Sequence, residues 1–484
     1  MAVVPSRPRT SVGRDEYRAT LDGLYRRRRF GLRPGLEVIT ALLAALDHPE
    51  RTFPAIHVTG SKGKGSVAAM AQAILTDHGL RTGLFTSPHL ESYRERMRID
   101  GRLIEPDEVV HAFARVDAAA GKLEAARAID HSPTFFEATT ALAFDWFARA
   151  GVEAAVVEVG IGGRLDATNV LDSKVGVITT IELEHTDVLG TTLGAIAGEK
   201  AGIFHSGMTG VLGELPPEAR SVAESAARQR GVPLWSLGQE VAVGERNLSE
   251  DGQRFDVRLP GHVFEQLALP LHGRFQPGNA ALAIAAVVRF LAAVGRPVDE
   301  AAVRRGLAHV VWPGRLERVA RRPELIYDVA HTPESARLVA QSLGELFPMA
   351  DADASAIVFG SLQGKSVARI FDALAPLART IVLVPVLSQR GMPVAELRAQ
   401  AVGRFSRIVL ARSGTEGLQL GRAATTNDGF TLVVGSDYLV GELLRTAHGG
   451  NDEPDLSDPG QGPRPSDDDT APTPSSNDSR RTKR

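Results

Sequence analysis

The sequence contains no cysteine, which excludes disulfide bonds, a thiolate nucleophile and a zinc site built on cysteine. It has no run of about 18 apolar residues that could span a bilayer, and its N-terminus lacks the apolar segment of a signal peptide. The net charge of -3 gives no basis for binding a nucleic acid or a membrane surface. These absences predict a cytoplasmic protein without nucleic-acid or membrane partners.

Lysine is scarce as well, since only seven of the 55 basic residues are lysine. In a chain that supplies nearly every positive charge as arginine, a retained lysine is a candidate for chemistry that arginine cannot do. Such chemistry includes point-charge contact with phosphate and reaction as an amine. Lys64, Lys200 and Lys365 are the candidates, whereas Lys122 and Lys483 are expected on the surface.

The stretch from Ile56 to Ser66 has the pattern of a phosphate-binding loop. An apolar strand ending at Val58 precedes it, and the spacing predicts a helix over 67–78, closed by Gly79. Glycines can turn backbone N–H groups toward an anion, a lysine can reach terminal phosphates, and a hydroxyl can bind Mg²⁺. The residues that supply these groups are Gly60, Gly63, Lys64, Gly65 and Ser66.

Polar side chains stand at the ends of several predicted strands, where an α/β protein collects its ligands. Ser87, Glu158 and His185 each occupy such a position. Glu158 lies in the buried strand over 153–159, where a carboxylate is costly unless it is paired or binds a metal. Together with Ser66, these residues predict one shared metal and nucleotide site.

The order of predicted elements indicates an α/β protein of two or three domains. Two helices are predicted within 15–48, a core helix with an N-terminal capping box over 134–150, and alternating short strands and helices over 208–270. A further alanine-rich helix is predicted over 276–294. The segment 295–317 is interpreted as the passage between domains.

The C-terminal part shows a regular alternation of strands and helices, which predicts a small doubly wound parallel sheet. The predicted strands lie near 325–329, 355–360, 380–386, 407–411 and 430–436. Asp328 and His331 follow the first of them at the crest of the sheet, and Thr332 and Pro333 fit the start of the next helix. From 449 onward the chain is rich in Pro, Ser and Asp, which predicts disorder.

Nine motifs between Tyr17 and Leu444 resemble folylpolyglutamate synthase, including the bacterial enzymes that are also dihydrofolate synthases, a branch of the Mur ligase superfamily. These motifs are HVTGSKGKGS, GLFTSPHL, ERMRIDG, TFFEATTALAF, EVGIGGRLDATNV, HTDVLG, EKAGIF, WPGRLE and YDVAHTPES. The resemblance implies an α/β fold with an N-terminal P-loop-containing ATPase domain of the Mur ligase type over 1–298. A smaller, Rossmann-like, doubly wound C-terminal domain over 299–448 and a disordered tail over 449–484 would follow.

The same resemblance implies roles for individual residues. Catalytic roles are implied for Lys64, Lys200 and His331, with Lys200 matching the lysine that the family carbamylates. The residues implied to bind ATP are Gly60, Gly63, Lys64, Gly65, Ser66, Asn279, Arg315 and Asp328. The residues implied to hold Mg²⁺ are Ser66, Ser87, Glu158 and His185. The residues that match the pterin-receiving region are Thr134, Phe135, Phe136, Glu137 and Asp166.

The implied reaction is the ATP-dependent addition of L-glutamate to the carboxylate of a folate, through an acyl phosphate, by a monomeric enzyme. The sequence leaves open whether the acceptor is dihydropteroate, a folate or both. Three departures from the family pattern are present: Val329 and Thr332 in the motif after Asp328, the lack of acidic neighbours around Lys365, and Lys62 in the phosphate loop.

Three alternative functions are compatible with a phosphate-binding loop in an α/β protein. One is a peptidoglycan-precursor ligase of the same superfamily. Such ligases generally carry a further domain before the phosphate loop, whereas only about 55 residues precede the loop in this sequence. A regulatory GTPase needs an Asn/Thr-Lys-x-Asp motif, and none of the seven lysines is followed at the second position by Asp. A catalytically altered ATP-binding homologue remains open because of the departures in the C-terminal motifs.

Overall fold

The computed structural model of the chain describes residues 13–27, 33 and 35–449. The tail beyond 449 and most of the predicted turn at 29–35 lie outside these residues. Within the described part, three β-sheets are present, with eight, three and six strands.

The first sheet is formed by β1 (Ala55–Thr59), β2 (Thr82–Phe85), β3 (Met97–Ile99), β4 (Arg102–Leu103), β5 (Ala154–Glu158), β6 (Ser173–Ile178), β7 (Thr209–Leu212) and β8 (Leu234–Ser236). The strand order is β4-β3-β2-β5-β1-β6-β7-β8, so β1 lies near the centre. The strands are parallel except for β3 and β4 at one edge. Because the strands are parallel, their carboxyl ends meet at one edge of the sheet.

Helices cover both faces of this sheet. They are α1 (Arg14–Arg26), α2 (Glu37–Ala44), α3 (Lys64–Asp77), α4 (Pro106–Ala125), α5 (Phe135–Ala150), α6 (Thr186–Leu189), α7 (Leu193–Lys200), α8 (Pro217–Gln229), α9 (Gln276–Ala293) and α10 (Glu300–Ala308). Ile56 and Val58 of β1 pack into the core shared with α3 and α9, whereas Ala55 belongs to the core formed with α5. Since side chains alternate along a strand, β1 contributes to both cores.

Most predicted elements of this part are confirmed. The two N-terminal helices are α1 and α2, and the capping box is present at α5, where the Thr134 side chain accepts from the Glu137 N–H. The helix after the phosphate loop begins at Lys64, three residues earlier than the predicted start at 67. Its first turn is therefore part of the loop itself.

The prediction for 208–270 was partly wrong. Between β8 and residue 270 the chain forms no helix. It forms three consecutive antiparallel strands, β9 (Ala242–Ser249), β10 (Gly252–Leu259) and β11 (His262–Leu269), which make the second sheet. The turn dipeptides Asp251-Gly252 and Pro260-Gly261 separate these strands. Such dipeptides between stretches of alternating apolar residues indicate β-hairpins, which the prediction for this range did not include.

The third sheet is formed by β12 (Glu317–Ala320), β13 (Glu324–Tyr327), β14 (Ala356–Phe359), β15 (Thr380–Leu383), β16 (Arg407–Leu410) and β17 (Phe430–Val434). Its helices are α11 (Pro333–Leu346), α12 (Val367–Leu374), α13 (Val394–Ala401), α14 (Gly414–Ala424) and α15 (Asp437–Ala447). The five predicted strands are present and parallel, in the order β12-β13-β17-β14-β15-β16. The unpredicted β12 is antiparallel to β13, so the sheet is mixed rather than wholly parallel.

Several contacts join the C-terminal part to the rest of the molecule, including an ion pair between Arg246 and Glu345. Arg321 pairs with Glu250 at 3.0 Å and with Asp251 at 2.7 Å, which ties β12 to the β9–β10 hairpin. Arg445 of α15 donates to the carbonyl of Leu90 at 3.2 Å. The Arg321 pairs join the third sheet to the second, and the Arg445 contact joins α15 to the loop that follows β2 of the first sheet.

The predicted domain boundary at 298/299 stays a prediction. The boundary assigns α10 to the C-terminal domain, yet α10 packs against α3. Val303 and Leu307 lie in the same core as α3, and Arg305 pairs with Asp77 at 3.1 Å.

Among the described residues, one helix is long and apolar enough to cross a membrane, namely α9. The sequence analysis does not predict a membrane span at this position. In the fold, 78% of its length is buried inside the protein. It is the central core helix between the first and second sheets.

Candidate active site

A cavity of about 590 Å³ lies in the cleft between the first and third sheets. Its walls are the loops that follow β1, β2, β5 and β6 on one side and β13, β14, β15 and β17 on the other. The predicted site residues that line it are Lys64, Ser87, Thr134, Phe135, Phe136, Glu137, Asp166, His185 and His331. The structure thus brings residues from eight strand ends to one place.

The phosphate loop is held in a conformation that requires glycine at two positions. Gly60 has φ 145° and Gly63 has φ 85°, where side chains other than hydrogen are strained. A Cβ at Gly60 would overlap the Thr179 hydroxyl, and one at Gly63 would lie 2.7 Å from Asn279 Oδ1. The end of β6 fastens the loop further, because Thr180 Oγ1 accepts from the Lys62 N–H at 2.8 Å.

Three lysines meet at this loop. Lys64 Nζ and Lys200 Nζ both donate to the Gly60 carbonyl, at 3.0 and 2.9 Å. Lys200 Nζ also donates to Glu184 Oε1 at 3.1 Å, and Lys62 Nζ lies 3.6 Å from Glu184 Oε2. Lys365 lies on the wall of the cavity. Four of the chain's seven lysines therefore lie at the phosphate loop or on the cavity wall.

The sequence reading missed Glu184, which partners two of these lysines. Burial raises its pKa, but the neighbouring Lys64, Lys200 and Lys62 outweigh burial and hold the pKa at about 2. Conversely, burial lowers the pKa of Lys200 to about 8, with repulsion from Lys64 adding to the effect and attraction to Glu184 opposing it. No sequence signal separates Glu184 from Glu182, two residues earlier.

Of the four predicted metal ligands, Ser87 and Glu158 are joined by a hydrogen bond. The Ser87 N–H donates to Glu158 Oε2 at 3.1 Å, and burial raises the pKa of this carboxyl while Lys64 opposes the rise. Ser66 is buried, and its hydroxyl accepts from Gln276 Nε2 at 3.5 Å. His185 lines the cavity with φ 47°, a conformation that non-glycine residues rarely adopt.

The donor set fits Mg²⁺. Among the described residues, no three His, Asp or Glu side chains form a metal-binding group, so a site composed of protein carboxylates and imidazoles is not present there. The four predicted ligands offer one carboxylate, one imidazole and two hydroxyls. Magnesium is typically held by one or two carboxylates together with substrate phosphates and water, which this set next to a phosphate loop can accommodate.

Two of the residues predicted to contact the nucleotide, Asn279 and Arg315, do not line the cavity of about 590 Å³. Asn279, on the first turn of α9, packs against Gly63 and donates to Gln276 Oε1 at 3.0 Å. Arg315 is half-buried, in a second cavity of about 90 Å³ that His331 also lines. Burial lowers the pKa of Arg315, whereas Asp328 opposes that shift.

Asp328 and His331 have different surroundings. The Asp328 carboxylate is buried and accepts from the backbone N–H groups of Leu316 at 2.9 Å and Ala330 at 2.7 Å. Burial raises its pKa to about 6, although Arg315 opposes the shift. His331 donates from Nδ1 to the Val329 carbonyl at 2.9 Å, and burial together with nearby lysines lowers its pKa to about 3.

The predicted pterin-receiving residues form another wall of the cavity. Phe135 and Phe136 line it, while the Glu137 carboxylate is engaged in the capping box, where Oε2 accepts from Thr134 N and Oγ1 at 2.8 Å each. Asp166 is buried, and its Oδ2 accepts from the Ile161 N–H at 2.9 Å. Phe135 is buried and stacks on Tyr25, whereas Phe136 is half-buried, so Phe136 is the aromatic ring that this wall presents to the cavity.

Family profiles match both halves of the chain. A profile described as Mur ligase middle domain matches residues 58–287, and one described as Mur ligase, glutamate ligase domain, matches residues 314–436. The first range contains the phosphate loop and the predicted metal ligands. The second contains Arg315, Asp328, His331 and Lys365.

Characterised relatives match over most of their length. The chain is 39% identical over 384 residues to the dihydrofolate synthase/folylpolyglutamate synthase of Mycobacterium tuberculosis, which is 77% of this chain and 78% of the relative. The structure of the M. tuberculosis folylpolyglutamate synthase with ADP and AMPPCP superposes with a TM-score of 0.83 at 34% identity, covering 90% of this chain and 99% of that one. The Escherichia coli enzyme in complex with DHPP and ADP superposes with a TM-score of 0.77 at 29% identity, covering 89% and 97%.

Proposed function

Because the chain belongs to the dihydrofolate synthase/folylpolyglutamate synthase family of Mur ligases, we propose that it joins L-glutamate to a folate carboxylate while converting ATP to ADP and phosphate. The observation that carries the proposal is a single cavity bordered by residues predicted for both substrates. Lys64 of the phosphate loop borders it on one side, and Phe135 and Phe136 border it on another. A flat pterin ring packs well on such aromatic surfaces, and the phosphates of ATP match the loop.

The first step is attack by the acceptor carboxylate on the γ-phosphorus of ATP, which forms an acyl phosphate and releases ADP. Lys64 Nζ exchanges its contact with the Gly60 carbonyl for the phosphate oxygens and offsets the charge that spreads over them. Lewis-acid stabilisation of the same charge comes from Mg²⁺ when it is bound by Ser66, Ser87, Glu158 and His185.

In the second step the amine of L-glutamate attacks the acyl carbon, an amide forms, and inorganic phosphate leaves. We place the carboxylates of L-glutamate near Lys365 and Arg390, which border the cavity on the C-terminal side. His331 is the residue placed to take the proton that the amine loses, because its Nδ1–H is bound to Val329 and Nε2 is left as the acceptor. Burial is the largest cause of the low pKa of His331, and the positive charge of Lys62 and Lys365 adds to it, so bound anions would oppose only the second cause.

Loops from both sheets exclude water from the acyl phosphate, which hydrolyses readily. We propose further that the chain acts on small-molecule substrates in the cytoplasm, that it is a monomer, as the family resemblance implies, and that its domain boundary lies near 298/299.

Lys200 is proposed to be carbamylated, and the expected pH dependence follows from its pKa of about 8. Its neutral amine adds CO₂ to give a carbamate and one proton, so the modified fraction should rise as the pH increases from about 6 to about 9. The measurement is a ¹³C NMR spectrum after equilibration with ¹³C-bicarbonate. The signal should vanish in Lys200→Arg and persist in Lys122→Arg, and a signal unchanged by Lys200→Arg would contradict the assignment.

The function itself is tested by phosphate release from Mg-ATP and L-glutamate with either 7,8-dihydropteroate or tetrahydrofolate as acceptor. We expect turnover that depends on the acceptor. Turnover with both acceptors would establish a bifunctional enzyme, and turnover with tetrahydrofolate alone would establish a chain extender. Phosphate release that neither acceptor stimulates would refute the folate assignment and favour an ATP-binding homologue of altered activity.

A further inference from the structure

One face of β1 is polar although the strand is fully buried. His57 and Thr59 alternate with Ile56 and Val58, and both side chains are 0% exposed. Buried imidazole and hydroxyl groups need hydrogen-bond partners. His57 Nε2 and the Thr59 hydroxyl find partners in residues 160–168, whereas the buried His57 Nδ1 has none among the described residues. Residues 160–168 form the loop after β5, which we call the acceptor loop because it lines the cavity beside the proposed pterin site.

His57 reaches the acceptor loop through Thr168. Its Nε2 lies 2.8 Å from Thr168 Oγ1, and the Thr168 hydroxyl donates to Asp166 Oδ1 at 2.6 Å. Since the Thr168 proton is directed to the carboxylate, His57 must supply the N–H in its own bond. Burial lowers the pKa of His57 to about 3, so the ring stays neutral and the direction of this chain is fixed.

Thr59 makes a second attachment to the same loop. Its hydroxyl donates to the Gly162 carbonyl at 2.6 Å. The loop is also closed on itself, since Asp166 accepts from the Ile161 N–H at 2.9 Å and from the Thr168 N–H at 3.0 Å. The acceptor loop is therefore a closed unit fastened at two points to β1.

The strand that carries these attachments runs directly into the phosphate loop, because Gly60 follows Thr59. We propose that His57, Thr59 and Thr168 are positioning residues that set the acceptor loop at a fixed distance from the phosphate loop. The acceptor carboxylate then meets the γ-phosphate in reacting geometry. This inference rests on the proposed function for its consequence in catalysis, and misplacement by about 1 Å can lower a rate by about 10²-fold.

The test compares Thr168→Val, which keeps the shape of the side chain but removes the hydroxyl, with the wild-type protein. We expect KM for the acceptor to rise about tenfold and kcat to fall, with the dissociation constant of a non-hydrolysable ATP analogue unchanged. Thr168→Ser should restore both parameters. Thr59→Val should act in the same direction and serves if Thr168→Val does not fold.

A matched control is Thr431→Val, which removes a buried hydroxyl that lies 2.8 Å from Thr425 Oγ1 in the C-terminal sheet. A merely structural effect would lower Tm in both valine variants and leave KM unchanged in both. If the wild-type protein turns over folate acceptors and Thr168→Val keeps the wild-type KM and kcat, the positioning proposal is wrong.

A second readout is independent of the folate assignment. In hydrogen–deuterium exchange, binding of the ATP analogue should slow exchange in the acceptor loop of the wild-type protein, and Thr168→Val should abolish that protection while the phosphate loop stays protected. Equal protection in both proteins would overturn the proposal. Absence of turnover by the wild-type protein would instead count against the proposed function.

Discussion

Replacement of Lys64 by alanine is expected to lower kcat by about 10³-fold, which corresponds to about 4 kcal/mol of transition-state stabilisation. Lys64 is the phosphate-loop lysine whose ammonium, bound only to the Gly60 carbonyl in the hydrogen bonds described, is available to the transferred phosphoryl group. The effect should fall mainly on kcat, because the charge it offsets develops in the transition state. The measurement is acceptor-dependent phosphate release at saturating Mg-ATP.

The controls for this prediction use the chain's own lysines. Lys122→Ala removes an exposed lysine near the end of α4 and should leave kcat and Tm unchanged. Lys64→Arg retains the charge but replaces a compact ammonium with a planar guanidinium, so we expect little recovery. An alanine variant with more than about a tenth of wild-type kcat would remove Lys64 from the phosphoryl-transfer step.

Replacement of Gly60 by alanine is expected to lower kcat/KM for ATP by at least about 10²-fold. Two causes act together. The φ of 145° disfavours any side chain, and the added Cβ would overlap the Thr179 hydroxyl and lie 3.0 Å from Thr179 Cβ. The loop must move to relieve the overlap. The Gly60 carbonyl oxygen, which accepts hydrogen bonds from both Lys64 and Lys200, would move with it.

Gly79→Ala separates these two causes. Gly79 has φ 78° and no atom within 4 Å of an added Cβ, so it has a positive φ, although a less strained one than the 145° of Gly60, without the overlap. We expect it to lower the free energy of unfolding by about 1–2 kcal/mol and to leave activity unchanged. The measurements are urea unfolding and kcat/KM for ATP. If Gly60→Ala lowered the free energy of unfolding by the same amount as Gly79→Ala but kept the wild-type kcat/KM for ATP, the activity would not require this geometry of the phosphate loop.

Local features of the fold were predictable because their causes are local. The capping box of Thr134 and Glu137 needs only residues three apart, and the phosphate loop needs only eleven consecutive residues, Ile56 to Ser66. The strand and helix alternation of the C-terminal sheet was read from apolar periodicity. The antiparallel β9–β11 sheet was not predicted, because apolar alternation alone does not distinguish a strand that pairs with its neighbour from one that joins a parallel sheet.

Glu184 shows why the site could be only partly predicted. It is 16 residues from Lys200 and 122 from Lys62, and no spacing in the sequence relates the three. They meet because β1 pairs with β6 in a register that sets the two strand ends side by side. The ionisation of Glu184 and Lys200 follows from that meeting and from burial, neither of which a sequence pattern encodes.

By itself, the sequence determined the phosphate loop, most of the order of the strands and helices, and the family to which the chain belongs, because these depend on neighbouring residues and on ordered motifs. The tertiary structure alone decided that His57 lies 2.8 Å from Thr168, 111 residues away, and that Glu184 lies between two lysines. Those contacts depend on strand order and register, which bring distant residues together only when the hydrophobic faces of the helices and sheets have packed.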